Sequence, residues 1–321
     1  MATASPPAAQ WTGPRSVRVA VVGVVGRLGR ALVAALEGAP LTGGRPPIGW
    51  DQPELELDTV TAASFGALLD RERPEAVIHT AAWTDVDANA REPELAMRRN
   101  GAAVGEIARA CAARGTDLVF ISSNEVFDGR RTDGLGYRPD DPRNPINPYG
   151  AAKARAELLA SEAFAGSAGR LAIVRTAWLF GPPGNDFPAK IAAAALRARA
   201  VGERLRVTGD EVGTPTYAPD LAAAIVALVG VDRPPAPGSV AIHHLVNGGR
   251  ASRADWAREV LRALAIEVEV VDVPAATWER ASNPPLWAVL EPTPLPSGVP
   301  MRPWREAFAD AVPALRRDLA G

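Results

Sequence analysis

The apolar run Val17-Arg18-Val19-Ala20-Val21-Val22 leads directly into Gly23-Val24-Val25-Gly26-Arg27-Leu28-Gly29, and this junction constrains the chain most. The run is apolar at nearly every position, as in a parallel strand buried on both faces. The stretch after it, RLGRALVAALEG (27–38), has the apolar spacing of a helix, with Gly38 as its stop signal. A strand, a G-x-x-G-x-x-G turn and a helix in succession predict an anion cradle. Glycine lets the backbone approach a pyrophosphate, and the exposed amides and positive helix end bind it. A tight turn without a ligand is the competing reading, and the flanking strand and helix weigh against it.

The alternation continues along the chain. Further strands are predicted near Ile48–Trp50 and at 75–82, 117–123 and 170–176. Helices are predicted at 61–72, at 94–114 and from near Pro148. Strands alternating with helices imply βαβ units with right-handed crossovers. The predicted fold class is α/β: a Rossmann doubly wound parallel sheet with a smaller C-terminal α/β substrate-binding domain. Residues 187–201, 219–229 and 253–265 read as helices, and Leu205–Thr208 reads as a return to the sheet. Prolines are dense from residue 273, which excludes one long helix there. The expected organisation is a disordered tail at 1–16 and a dinucleotide-binding domain at 17–176 that is rejoined at about 205–246. The substrate-binding domain is expected at 177–204 and 247–321.

Asp51 follows Gly29 by 22 residues, at the end of the expected second strand. An acidic residue about 20 positions on accepts a hydrogen bond from an adenosine ribose 2′-OH, which favours NAD. A solvated loop carboxylate is the alternative. Arg27 and Arg45 are near enough in sequence to bind a 2′-phosphate instead, so NADP and NAD both stay open.

Tyr149-Gly150-Ala151-Ala152-Lys153 opens a helix after the loop NPINP, and residues four apart share a helix face. An ammonium beside a phenol lowers the tyrosine pKa from near ~10, which suits proton transfer at neutral pH. Ser123 ends the predicted strand DLVFISS, at the sheet edge where such folds bind ligands. Its hydroxyl suits the polarising of a substrate carbonyl. Tyr-x-x-x-Lys is common by chance; the order of glycine turn, strand-end serine and Tyr-x-x-x-Lys is specific.

Several segments together carry a family resemblance: VGVVGRLG (22–29), HTAAWTDVDANAREPELA (79–96), ISSNEVFDG (121–129), NPINPYGAAKARAE (144–157), RTAWLFGPPGNDF (175–187), GTPTYAPDLA (213–222) and MRPWREAF (301–308). The chain resembles the dTDP-4-dehydrorhamnose reductase branch of the extended short-chain dehydrogenases, from about Val17 to Phe308. The resemblance implies an NAD(P)H-dependent reduction of the C4 ketone of a nucleotide-linked 4-keto-6-deoxy sugar. It implies Ser123, Tyr149 and Lys153 as the catalytic set, with Tyr149 donating the proton. Gly23, Val25, Gly26, Arg27 and Leu28 are expected at the cofactor pyrophosphate, and Asp51, Asp58 and Thr59 near its adenosine. Ala81, Ala82, Trp83, Thr84 and Ser122 are expected along the cofactor, with Tyr149 and Lys153. Val86, Asn124, Glu125, Trp178 and Asn185 are expected at the sugar nucleotide.

Two departures stand out. The family has Thr-Asp-Tyr where this chain has Ser123-Asn124-Glu125, and its Arg-Pro-x-x-Ser-x-Leu segment appears as Arg280-Ala281-Ser282-Asn283-Pro284-Pro285-Leu286. Glu125 either bonds a neighbour at the sheet end or serves as a base beside the ketone. The rival readings are therefore an epimerase or dehydratase with tightly held NAD, and a non-catalytic NADP-binding regulatory subunit. The same family fold is used in the latter way in a subunit of methionine adenosyltransferase.

Composition excludes other classes. Net charge is −2, so no overall field draws the chain to nucleic acid or an acidic membrane. The longest apolar run, Leu221–Val231, is short of the ~20 residues a bilayer span needs. The single cysteine, Cys111, permits no intrachain disulfide and reads as a packed core thiol. His79, His243 and His244 lack ligand spacing, so no metal is expected. Trp83 and Trp178 read as ligand-stacking or core residues, and Arg175 as a diphosphate ligand or an internal ion pair. The first residues lack a signal-peptide core, so a cytoplasmic protein is expected. A sugar-nucleotide substrate and a homodimer complete the expectations.

Overall fold

In the computed structural model, which describes residues 16–183, 185–230 and 239–320, the first apolar run forms β1 (Val19–Val22), buried at every position. The glycine turn leads into α1 (Arg27–Glu37), which ends at Gly38. β2 (Ile48–Trp50), α2 (Ala62–Glu72) and β3 (Ala76–His79) follow, and Thr61 caps α2 through its side chain. The helical stretch expected at 94–114 is composite. α3 (Val86–Arg91) and α4 (Pro93–Ala96) precede a π-helical segment, Met97–Ala102, and then α5 (Ala103–Ala112). Next come β4 (Asp117–Ser123), α6 (Pro148–Phe164) and β5 (Leu171–Thr176).

The second half runs β6 (Leu179–Phe180), α7 (Phe187–Ala200), β7 (Leu205–Thr208), β8 (Val212–Gly213), β9 (Thr216–Tyr217) and α8 (Ala218–Val229). It ends with β10 (Val240–His244), β11 (Ala251–Ser252), α9 (Arg253–Leu264), β12 (Val270–Val273), β13 (Trp287–Ala288) and α10 (Trp304–Ala320). None of the described helices is long and apolar enough to cross a membrane.

Six strands form one sheet in the order β10-β5-β4-β3-β1-β2, and every neighbouring pair is parallel. From β1 the chain steps outward to β2, then returns to the other side of β1 for β3. This reversal opens a crevice at the carboxyl ends of β1 and β3, where doubly wound sheets bind ligands. Helices cover both faces. Trp50, Phe65, Ile107, Phe120 and Phe164 fill one side. Leu28, Leu32 and Leu36, four apart on α1, meet Leu221 and Ile225 of α8 on the other. The Rossmann architecture is as expected.

One expectation is corrected. Leu205–Thr208 does not rejoin the main sheet; it pairs in parallel with β12, from Leu205↔Val270 to Thr208↔Val273. Leu205 and Val207 are buried against Ala257 and Leu261 of α9, while Arg206 between them is exposed. A strand with one apolar face suits a sheet covered on one side, unlike Val19–Val22. Among the described residues, the chain returns to the main sheet through α8, which packs on it, and β10, which joins it. A separate aromatic core of Phe180, Trp256, Trp304 and Phe308 joins α9 and α10 to the segment after β5. The expected tail at 1–16 lies outside the described residues except for Ser16, whose hydroxyl accepts from Arg45 Nη2 at 2.9 Å.

Candidate active site

The three turn glycines have different tasks. Gly23 has φ +90°, and a Cβ there would lie 2.7 Å from the Ala81 amide nitrogen. A Cβ on Gly29 would lie 2.0 Å from the Gly23 carbonyl oxygen. Protein backbone crowds both positions, so the turn itself requires glycine there. At Gly26 the nearest atom to a Cβ is the Gly23 oxygen at 3.4 Å, so the middle glycine is the one left open.

The turn and the sheet edge enclose a cleft of about 670 Å³. Gly23, Val25, Gly26, Arg27 and Leu28 form one side, and Asp51 and Asp58 line the end beside β2. Ala81, Ala82, Trp83, Thr84 and Val86 line it after β3. Ser122, Ser123, Asn124 and Glu125 lie at the end of β4, with Tyr149, Lys153 and Trp178 beside them. Thr59 is exposed and is not part of this lining. Asn185 borders an adjoining hollow instead.

Arg27 does not aim its guanidinium at the turn. Nε donates to the Gly181 carbonyl at 2.7 Å and Nη2 to the Pro183 carbonyl at 3.0 Å. Asp51 accepts from the Val25 amide at 3.1 Å and the Gln52 amide at 3.0 Å. Arg99, which sequence reading missed, holds Asp58 through two bonds of 2.6 and 2.7 Å. These bonds keep the Asp58 carboxyl below its ordinary pKa. The Trp83 segment is pinned by Asn100, whose Oδ1 accepts from Trp83 N–H and whose Nδ2 donates to its carbonyl, both at 2.8 Å. Asn100 sits in the π-helical segment, a feature often found at functional sites. No local sequence signal marked it.

At the catalytic candidates one expectation fails. Tyr149 has its pKa raised, not lowered. Burial is the main cause, the Glu125 charge adds to it, and a hydrogen bond with Ser123 opposes it. Lys153 Nζ lies 6.0 Å from the Tyr149 ring centroid and donates to the Ile121 carbonyl at 3.0 Å. Lys153 is itself pushed down to about 8 by burial, with Glu157 opposing. Beneath it His79 stacks on Phe120 and is held neutral, its pKa pushed to about 3 by burial and the lysine.

Asn147 organises this corner. Its Oδ1 caps α6 by accepting from the Gly150 amide at 2.8 Å. Its Nδ2 donates to Glu125 Oε2 at 2.6 Å and to the Asn283 carbonyl at 3.2 Å. Glu125 therefore has a neighbour, and burial raises its pKa despite that bond. Arg175 forms the internal ion pair of its two readings: it binds Glu157 and is 1% exposed. Cys111 is buried.

Two hollows of about 720 and about 530 Å³ share Arg27 and Thr84 with the cleft and carry a basic wall absent from the sequence reading. Arg253 and Arg280 flank the buried Glu211, Arg280 Nη1 at 2.8 Å and Arg253 Nε at 3.6 Å. The Arg253 guanidinium lies 3.6 Å from the Trp178 ring centroid, and Trp178 stacks on Trp256 at 5.8 Å. Burial pushes Arg253 down to about 10. Lys190 and Asn185 complete this wall. Two guanidiniums and an ammonium beside an aromatic face suit a phosphorylated ligand.

Comparisons with known proteins show the chain's family. The family model described as RmlD substrate binding domain matches residues 17–317. A dTDP-4-dehydrorhamnose reductase of Streptomyces griseus is 33% identical over 301 residues, covering 92% of this chain and 93% of that protein. A dTDP-4-keto-6-deoxy-D-glucose reductase of Streptomyces niveus is 32% identical over 301 residues, covering 93% and 97%. The crystal structure of dTDP-4-dehydrorhamnose reductase from Bacillus anthracis in complex with NADP superposes with a TM-score of 0.79. It is 28% identical, and the match covers 92% of this chain and 99% of that one.

Proposed function

The chain belongs to the RmlD substrate binding domain family, and from that premise we propose that it reduces the C4 ketone of a dTDP-linked 4-keto-6-deoxyhexose with NADH or NADPH. The observation that carries the reading is one shared lining: Ser123, Tyr149 and Lys153 border the same cleft as the glycine turn. The turn fits a dinucleotide, because the bare backbone at Gly26 has no crowding neighbour. Bound there, a reduced dinucleotide supplies the hydride.

The chain's residues then have assigned tasks. Ser123 donates a hydrogen bond to the ketone oxygen and polarises it. Tyr149 delivers the proton to that oxygen; its raised pKa keeps the phenol protonated and ready to donate. Lys153 holds the nicotinamide ribose, and its ammonium offsets the charge left on the phenol. Trp178 and Asn185 border the sugar, with Val86, Asn124 and Glu125 at the reacting end. Arg253, Arg280 and Lys190 take the nucleotide diphosphate. The cofactor-binding part is assigned to 17–176 with α8 and β10, and the substrate part to 177–217 and 247–321. The reading includes a cytoplasmic location and a homodimer, the latter testable by analytical ultracentrifugation.

The test is oxidation of NADH or NADPH by the purified protein with a dTDP-4-keto-6-deoxy sugar. Dinucleotide is expected to be consumed only when the ketone is present, and Tyr149→Phe is expected to stop it. The buried carboxyl of Glu125 favours one second reading, an epimerase or dehydratase using it as base. Protein isolated with NAD+ already bound, and consuming no reduced dinucleotide, would establish that reading instead.

A further inference from the structure

We propose that Glu125 selects the substrate by its C3 substituent, requiring a hydrogen-bond donor there, a hydroxyl or an ammonium, beside the C4 ketone. The inference rests on the reductase reading above and deepens it by naming the class of sugar.

Three observations carry it. First, Glu125 is fixed at three points beside Ser123 and Tyr149. Its amide donates to Ser123 Oγ at 3.2 Å, its carbonyl oxygen leaves Gly150 no room for a Cβ, and its Oε2 accepts from Asn147 Nδ2 at 2.6 Å. Gly150 adjoins Tyr149, and Asn147 caps the helix that carries both. The Glu125 charge is felt at the Tyr149 phenol. Second, one carboxylate oxygen is left over. Oε1 accepts from no donor among the described residues and is not sealed inside the protein. Arg253 acts on Glu125 only through space, its ion pair being with Glu211. A carboxylate oxygen only accepts, so whatever meets Oε1 must donate. Burial opposes the charge, which makes an unmet acceptor costly.

Third, position picks out one edge of the sugar. Glu125 lines both the cleft that holds Tyr149 and the hollow that carries Arg253 and Arg280. With the ketone oxygen at Ser123 and Tyr149 and the diphosphate at the arginines, Glu125 lies along the sugar between C4 and C1. Two edges of a pyranose join those atoms. One runs through C5 and the ring oxygen, and in a 6-deoxy sugar it carries a methyl group and no donor. The other runs through C3 and C2, whose substituents can donate, and C3 is the neighbour of the ketone. Only that edge satisfies Oε1.

Binding and turnover test this separately. The full chain with an oxidised dinucleotide is titrated calorimetrically with dTDP-4-keto-6-deoxyhexoses that carry a hydroxyl, an amino group or only hydrogen at C3. Reduction of the same three sugars is then measured as kcat/KM with a reduced dinucleotide. The hydroxyl or the amino sugar is expected to bind, and to be reduced, on the order of 100-fold better than the 3-deoxy sugar. The better of the two names the donor. Glu125→Leu and Glu125→Gln, each checked for folding by its melting curve, are expected to cut that ratio at least about tenfold. A wild-type protein that handles the 3-deoxy sugar as well as the other two overturns the inference and leaves the reductase reading standing. A ratio unchanged in a folded variant also overturns it. Donor-selective binding without reduction of any of the sugars supports the inference and removes the reductase reading. Binding of none of them removes both.

Discussion

The Arg175 guanidinium holds the Glu157 carboxylate in a fork, Nε to Oε1 at 2.9 Å and Nη2 to Oε2 at 2.7 Å, with neither side chain reaching solvent. Ser122 donates to the same carboxylate at 2.6 Å. Glu157 lies one helical turn beyond Lys153 on α6, so the fork ties β4 and β5 to the helix that carries Tyr149. Glu157→Ala strands a buried guanidinium, and removal of one partner from such a pair costs about 3–5 kcal/mol. Denaturant unfolding is expected to show a loss of that size. The double variant Glu157→Leu/Arg175→Met is expected to lose less, since the buried guanidinium goes with its partner, while Arg143, which also pairs with Glu157, is partly exposed.

The lysine gives a pH dependence. Lys153 is lowered from 10.5 to about 8, first by burial, with Glu157 pulling the other way. Its ammonium is present below pH 8 and is lost as pH rises through that value. The kcat/KM profile, which reports groups of the free enzyme, is expected to fall above about pH 8. The linked effect on stability has the opposite sense. Between about 8 and 10.5 the unfolded chain binds the proton that the folded one has released, so this group adds stability as pH rises. Lys153→Met is expected to remove both effects.

Tyr149→Phe removes the proposed proton donor and leaves the ring in place. The turnover number is expected to fall by roughly 10²–10⁴, the usual worth of a positioned acid. Dinucleotide affinity, measured by titration, is expected to change less than tenfold. Equal turnover in both proteins would remove Tyr149 from the mechanism.

Gly150 is packed against the turn that follows β4. A Cβ there would lie 2.0 Å from the Glu125 carbonyl oxygen. Gly150→Ala must push the start of α6 away, and with it Tyr149. Overpacking of this kind costs about 1–3 kcal/mol. A displacement of about 1 Å is expected to lower kcat on the order of 100-fold. Melting curves and steady-state kinetics read the two effects separately.

Arg280 is partly exposed on the basic wall and reaches Glu211 from outside. Arg280→Gln is expected to weaken binding of free dTDP by roughly tenfold to a hundredfold, as loss of a charge-assisted hydrogen bond does. Calorimetric titration of dTDP checks this, with dinucleotide affinity expected to stay unchanged. An unaltered dTDP affinity would move the diphosphate off this wall.

Much of the fold was legible because its signals are local. Val19–Val22 and Ala76–His79 are apolar on both faces, so each declared itself a buried parallel strand. Leu205–Thr208 misled because a half-apolar strand does not name its partner, which lies at Val270–Val273. Arg27 was read as an anion ligand from its place in the glycine turn, yet its acceptors sit some 154 residues away. The arginine pair around Glu211 and the clamp of Asn100 on Trp83 are likewise non-local.

What the sequence alone determined is the order of elements, the glycine turn and the residue types that reach the sheet edge, because short-range periodicity and backbone sterics dictate them. Only the tertiary structure decided the electrical state of the site. Burial raises Tyr149 and lowers Lys153, where spacing alone had suggested a lysine that acidifies its tyrosine. Desolvation depends on everything packed around a group, and that surrounding is assembled from segments far apart along the chain.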